Sequence, residues 1–79
     1  MIELRTVLTE IAKGIVEYPD QVTVEEQTEE DGTITFTLHV AESDMGLIIG
    51  KHGKIAKAIR TVMKAAAKTA DKKVVVEIQ

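Results

Sequence analysis

Seventy-nine residues with a 44% apolar share suffice for one small packed domain, residues 1–79, and are too few for two. The absence of cysteine excludes a disulfide framework and cysteine-based metal sites or nucleophiles. No apolar run approaches the roughly 18 residues of a membrane span, and the amino terminus interleaves charges with apolar residues like a helix rather than a signal peptide; the expectation is a cytoplasmic protein without a cofactor.

The first predicted element is a helix from about Ile2 to Glu17. Leu4, Val7, Leu8, Ile11 and Ile15 recur at helical spacing as one apolar stripe, and Pro19 stops the helix by disfavouring helical geometry at Tyr18. A strand follows at about Gln21–Thr28 with Val22 and Val24 on one face. Glu29-Glu30-Asp31-Gly32 is a polar turn, and it ends in the residue that tolerates positive φ most cheaply. The second strand, Thr33 to Ala41, alternates cleanly: Ile34, Phe36, Leu38 and Val40 point one way, Thr33, Thr35, Thr37 and His39 the other. The two strands read as an antiparallel hairpin with one buried face.

Ser43 or Asp44 is placed to cap a short helix from Met45 to Ile49. A Gly50-Lys51-His52-Gly53 turn comes next, and then a long helix from about Lys54 to Ala70. Its expected core face is Ile55, Ala58, Ile59, Val62 and Ala66, with Lys57, Arg60, Lys64 and Lys68 opposite. Ala56, Met63, Ala67 and Ala70 widen the uncharged arc beyond the roughly 100° that a core stripe needs. Part of this surplus is expected to pack on the first or second helix and the remainder to suit a second protein chain, unless it reflects only the high helix propensity of alanine. A last strand, Lys73 to Ile78, turns Val74, Val76 and Ile78 inward. The order is helix, strand, strand, helix, helix, strand. A right-handed crossover between parallel strands puts the helices on one sheet face, so the expected fold is α+β: three helices packed on one face of a three-stranded mixed sheet.

Charge is distributed unevenly. The net charge of −3 resolves into −9 over residues 1–50 and +6 over residues 51–79. Such a chain presents one face to phosphate and repels it elsewhere, or carries a lysine-rich solvated helix. Two glycines around Lys51 and His52, at the start of a periodic helix, let another backbone approach closely and offer helix-terminal N–H groups to an anion. Catalysis has little support. A Walker A loop needs four residues between its glycines and then Lys-Ser/Thr; here Gly46 and Gly50 enclose three, and His52 follows Lys51. His39 and His52 are the only histidines, which leaves metal chemistry thin. The carboxylates Glu25, Glu26, Glu29, Glu30 and Asp31 crowd a hairpin tip with no apolar surroundings.

Ile48-Ile49-Gly50-Lys51-His52-Gly53-Lys54-Ile55 resembles the V-I-G-x-x-G-x-x-I signature of KH domains, with Ile48 for valine and Ile55 directly after Lys54. The helix and strand ahead of the core unit match the type II arrangement, order αββααβ. Asp44-Met45-Gly46, the tract from Gly50 to Ala67, and the ending Lys72-Lys73-Val74-Val75-Val76-Glu77 resemble the small single-domain KhpA family of bacteria over nearly the whole chain. Leu47 departs from that family, which often has lysine there.

The resemblance implies an RNA-binding protein and probable RNA chaperone that clamps about four nucleotides of single-stranded RNA on the G-x-x-G loop. It also implies homodimers, and complexes with a KhpB-type KH protein in the control of cell elongation and division. Carried onto this chain, the RNA contacts are Gly50, Lys51, His52, Gly53, Lys54 and Lys57, with Ile48, Ile49 and Ile55 between core and groove floor. Core packing is the favoured place for Ile49 and Ile55, and an exposed loop is the alternative for His52. Tyr18 and Phe36 are the only aromatic residues, which argues against stacking platforms of the RRM or OB type. Single-stranded DNA is the competing ligand, because nothing in the sequence reads a 2′-hydroxyl. An adaptor that keeps the KH fold and meets RNA only through its partner is the competing function.

Overall fold

A computed structural model describes residues 3–79, with the Lys51 side chain outside the description. The expected helix start at Ile2 also lies outside the described residues. The elements run α1 (Leu4–Ile15), a 3₁₀ turn (Pro19–Gln21), β1 (Thr23–Thr28), β2 (Ile34–His39), α2 (Glu42–Thr69) and β3 (Val74–Ile78). Helical hydrogen bonding is continuous through α2, but His52 and Gly53 take φ values of 64° and 69°. Right-handed helix cannot pass through two left-handed residues. They divide α2 into a first arm, residues 42–51, and a second arm, residues 54–69. The result is three helical segments and three strands in the order αββααβ, a type II KH fold.

Strand order is β1-β2-β3, with β1–β2 antiparallel and β2–β3 parallel. The register aligns Ile34 with Val74, Phe36 with Val76 and Leu38 with Ile78, so the inward rows of both strands coincide beneath the helices. The outer face stays polar: Glu25, Thr37 and Glu77 share one row, Gln27, Thr35 and Val75 another. At the edge of the sheet, Arg60 of α2 donates from Nε to the Val76 carbonyl of β3 at 3.3 Å. Part of that exposed strand edge is thereby occupied.

The core joins Leu4, Leu8 and Ala12 of α1 to Phe36, Leu38 and Val76 of the sheet and to Ile48, Ala56, Ile59, Met63 and Ala67 of α2. Val16 is buried as well, because the chain leaves α1 in an extended conformation at that residue, while Ile15 turns outward. The buried stripe of the second arm corrects the sequence expectation. Ala56, Met63 and Ala67, expected as a partner surface, are core, with Met63 fully buried. Ala58 and Val62, expected inside, face solvent, and Val62 is 46% exposed. Of the four residues assigned to a partner surface, only Ala70 is exposed. The helix is rolled about its axis relative to the expectation, which brings the small Ala56 and Ala67 inward where backbones pack closely.

Substitution of Ala56 and Val62 by aspartate checks this face. An unpaired carboxylate at Ala56 costs several kcal/mol, a large part of the stability of a domain this small, and Ala56→Asp is expected to unfold in mild urea or on expression. Val62→Asp is expected to stay within about 1 kcal/mol of the parent. Equal stability of the two variants in urea titrations would contradict the assigned face.

Candidate nucleic-acid interface

Asp44 anchors the first arm. The N-cap of α2 is Ala41, with no side-chain cap, so neither Ser43 nor Asp44 performs the expected local capping. The Asp44 side chain instead points into the protein, 2% exposed, and receives two backbone donors from the chain that leaves α1. The Glu17 N–H donates to Oδ1 at 3.0 Å and the Tyr18 N–H to Oδ2 at 3.1 Å. Both carboxylate oxygens are thus satisfied, as burial requires, and the start of α2 is fixed against the end of α1.

From that anchor the first arm runs through Ile48 to the corner at Gly50–Gly53. Ile48 is fully buried in the core, so it is not free to touch a ligand; the expectation of a contact there is corrected. Ile49 is 47% exposed rather than packed inside. Ile55, one turn beyond the corner, is half-buried against the core. Gly50 and Gly53 are partly exposed, and His52, Lys54 and Lys57 are exposed. The expected Lys51 contact lies outside the described side chains. A Cβ built at Gly50 or Gly53 meets nothing within 4 Å. Neither glycine is therefore demanded by crowding within the protein. Gly53 is demanded by its backbone conformation; Gly50, with no positive φ, is demanded by neither.

His52 is the residue that sequence reasoning left undetermined. Its left-handed conformation costs about 1 kcal/mol in a residue other than glycine, and it carries the exposed imidazole out at the corner. The site is a protruding bend: an exposed ring and, along the next helical turn, two exposed ammonium groups, bordered by Ile49 and Ile55. Such a surface offers point charges and open main chain to a polyanion. Among the described residues, no three His, Asp or Glu side chains are grouped to hold a metal ion, and no helix is long and apolar enough to cross a membrane.

The sequence profile of the family described as KhpA/KhpB, KH domain, matches residues 5–78. The chain belongs to that family. It is 55% identical over 75 residues to the RNA-binding protein KhpA of Clostridium acetobutylicum, covering 95% of this chain and 99% of the relative. The Clostridium perfringens protein of the same name is 56% identical over 68 residues, or 86% and 89% of the two chains. That of Listeria monocytogenes is 40% identical over 75 residues, or 95% and 97%. The family is one of KH domains, and these relatives are named as RNA-binding proteins, not enzymes.

Proposed function

We propose that this protein binds single-stranded RNA and holds about four nucleotides against the Gly50-Lys51-His52-Gly53 corner. The observation that carries the reading is the pair of left-handed residues, His52 and Gly53, which lifts an open stretch of main chain clear of the core beside Lys54 and Lys57. Phosphate is positioned by the charges of Lys51, Lys54 and Lys57 and by a hydrogen bond from His52. Gly50 and Gly53 keep side chains out of the way of the sugar–phosphate backbone. Ile49 and the exposed edge of Ile55 supply the apolar floor on which bases lie. With few charges engaged, each domain binds weakly, and pairing two domains raises the strength by avidity.

The wider role follows the family resemblance: a cytoplasmic RNA chaperone that forms homodimers and works with a KhpB-type KH protein in the post-transcriptional control of cell elongation and division. The exposed apolar face of α2 at Ala58 and Val62 supports a partner surface there, in place of the one expected from the sequence. The adaptor reading draws on the same exposed residues and on the charge of −9 over residues 1–50, which repels RNA.

Replacing Lys51 and His52 together by aspartate separates the two readings. The double variant is expected to keep its fold and to lose at least tenfold in RNA affinity, measured by fluorescence anisotropy on a single-stranded oligonucleotide. Competition with DNA of the same sequence reports the preference between the two ligands. Unchanged RNA affinity in a folded double variant would refute the loop clamp and leave the adaptor.

A further inference from the structure

The end of α2 remote from the corner carries a second basic feature. An open cleft of about 850 Å³ lies there between α2, the α2–β3 connection and the β1–β2 turn. Lys64 and Lys68 line it from the helix, and Lys72 and Lys73 from the connection; Asp31 and Asp71 are the acids in its wall. Four lysines against two aspartates leave a net charge of +2. Among the described residues, no carboxylate lies within 4 Å of any of the four ammonium groups. The Asp31 Oδ1 accepts the Thr33 N–H at 2.9 Å, and its carboxylate also feels the Lys73 charge. That bond, assisted by the Thr33 side chain and by Lys73, holds its carboxyl below the usual carboxylate range.

The lysines of the connection are held by a defined helix ending. Asp71 is left-handed, φ 58°, and its N–H donates to the Lys68 carbonyl at 3.1 Å, while the Lys72 N–H donates to the Ala67 carbonyl at 2.8 Å. This is the Schellman arrangement, with aspartate in the place glycine usually takes. It folds Lys72 and Lys73 back beside Lys64 and Lys68 rather than letting the chain run off the helix axis.

A ridge connects this cleft to the corner. At 3.6 residues per turn, Lys57, Lys64 and Lys68 fall within about 40° of one another around α2, and Lys54 stands about 60° from Lys57. All four are exposed. Lys54 and Lys68 are about 21 Å apart along the axis at 1.5 Å per residue. At a stacked spacing of about 3.4 Å, that length corresponds to about six nucleotides.

We propose that an RNA strand held at the Gly50–Gly53 corner continues along the lysine ridge of α2 and seats phosphodiester groups in the cleft lined by Lys64, Lys68 and Lys72, so that the footprint is about ten nucleotides rather than four. The inference rests on the RNA-binding reading above. Compact ammonium groups recognise phosphate as point charges. The continuity of the ridge with the corner favours a nucleic-acid strand over an acidic peptide.

Anisotropy titrations of the full chain with single-stranded RNAs of five and twelve nucleotides, over a range of salt, test the proposal. The longer RNA gains binding registers for statistical reasons alone, but extra registers leave the salt dependence unchanged. Three added phosphate contacts steepen the slope of log affinity against log salt by about 2. The parent is expected to show that steepening for the twelve-nucleotide RNA. A K64Q/K68Q/K72Q variant is expected to lose it while binding the five-nucleotide RNA as the parent does, and a K64R/K68R/K72R variant to retain it. Equal slopes for the two RNAs on the parent, or a full slope on the glutamine variant, would overturn the proposal and leave the corner's function standing. Failure of the parent to bind either RNA would overturn both. If the glutamine variant lost binding to a polyglutamate peptide but not to RNA, the cleft would serve an acidic protein partner instead, and the proposal would fall.

Discussion

Asp44→Ala is expected to destabilise the protein by about 3–5 kcal/mol, because two hydrogen bonds to one charged group, each contributing about 1.5–3 kcal/mol, disappear together. The substitution leaves the Glu17 and Tyr18 N–H groups without their carboxylate acceptor. For a domain of this length the loss amounts to a fall in Tm of about 12–40 °C. Asp44→Asn keeps one acceptor and turns an amide N–H₂ toward a backbone donor, so it is expected to fall between the parent and the alanine variant. Urea titration is the direct measurement: the midpoint moves, and an unchanged slope keeps the comparison two-state. An alanine variant within about 1 kcal/mol of the parent would show that the carboxylate is not what fastens α2 to the end of α1. The connection matters for the proposed clamp because the first arm spans only the few residues between Asp44 and the corner. Loosening its start loosens the placement of Gly50 and His52.

Asp44 also shows where sequence reasoning reached its limit. Sequence alone offers Ser43 or Asp44 as a local cap of the helix, and neither serves as one. Capping rules describe neighbours within a turn; the donors that Asp44 accepts lie 26 and 27 residues away. The second arm of α2 carries the same lesson. Ile55, Ala58, Ile59, Val62 and Ala66 satisfy helical periodicity as well as Ala56, Ile59, Met63 and Ala67 do. The choice between the stripes depends on where α1 and the sheet stand, which periodicity does not contain. The strands were legible because period-two alternation allows only two assignments, and one of them would have buried Thr33, Thr35, Thr37 and His39 in place of Ile34, Phe36, Leu38 and Val40. The G-x-x-G corner was legible from its glycines. The left-handed φ of His52 was not, because histidine tolerates that region without requiring it.

The two glycines of the corner separate stability from binding, and Gly50→Ala makes the separation measurable. Gly50 sits in helical hydrogen bonding without a positive φ, and the position of an added Cβ is open. Alanine there should stabilise the fold by about 0.5–1 kcal/mol, since glycine inside a helix is the less favourable residue by that amount. Gly46→Ala, in the same arm and equally open, should give a similar gain. Their effects on RNA are expected to diverge. In the proposed clamp a methyl group at Gly50 would stand where the sugar–phosphate backbone approaches, and a tenfold loss of affinity, about 1.4 kcal/mol, is expected beside the gain in Tm. Gly46→Ala should raise Tm and leave affinity as it was. Gly53→Ala differs from both, because its φ of 69° charges alanine about 1 kcal/mol or more in strain, so stability and binding should fall together. Thermal melts and anisotropy titrations on the three variants decide the matter. A Gly50→Ala protein that melts higher and binds RNA as tightly as the parent would mean that no strand passes close to that glycine, and the clamp would have to be moved elsewhere on the surface.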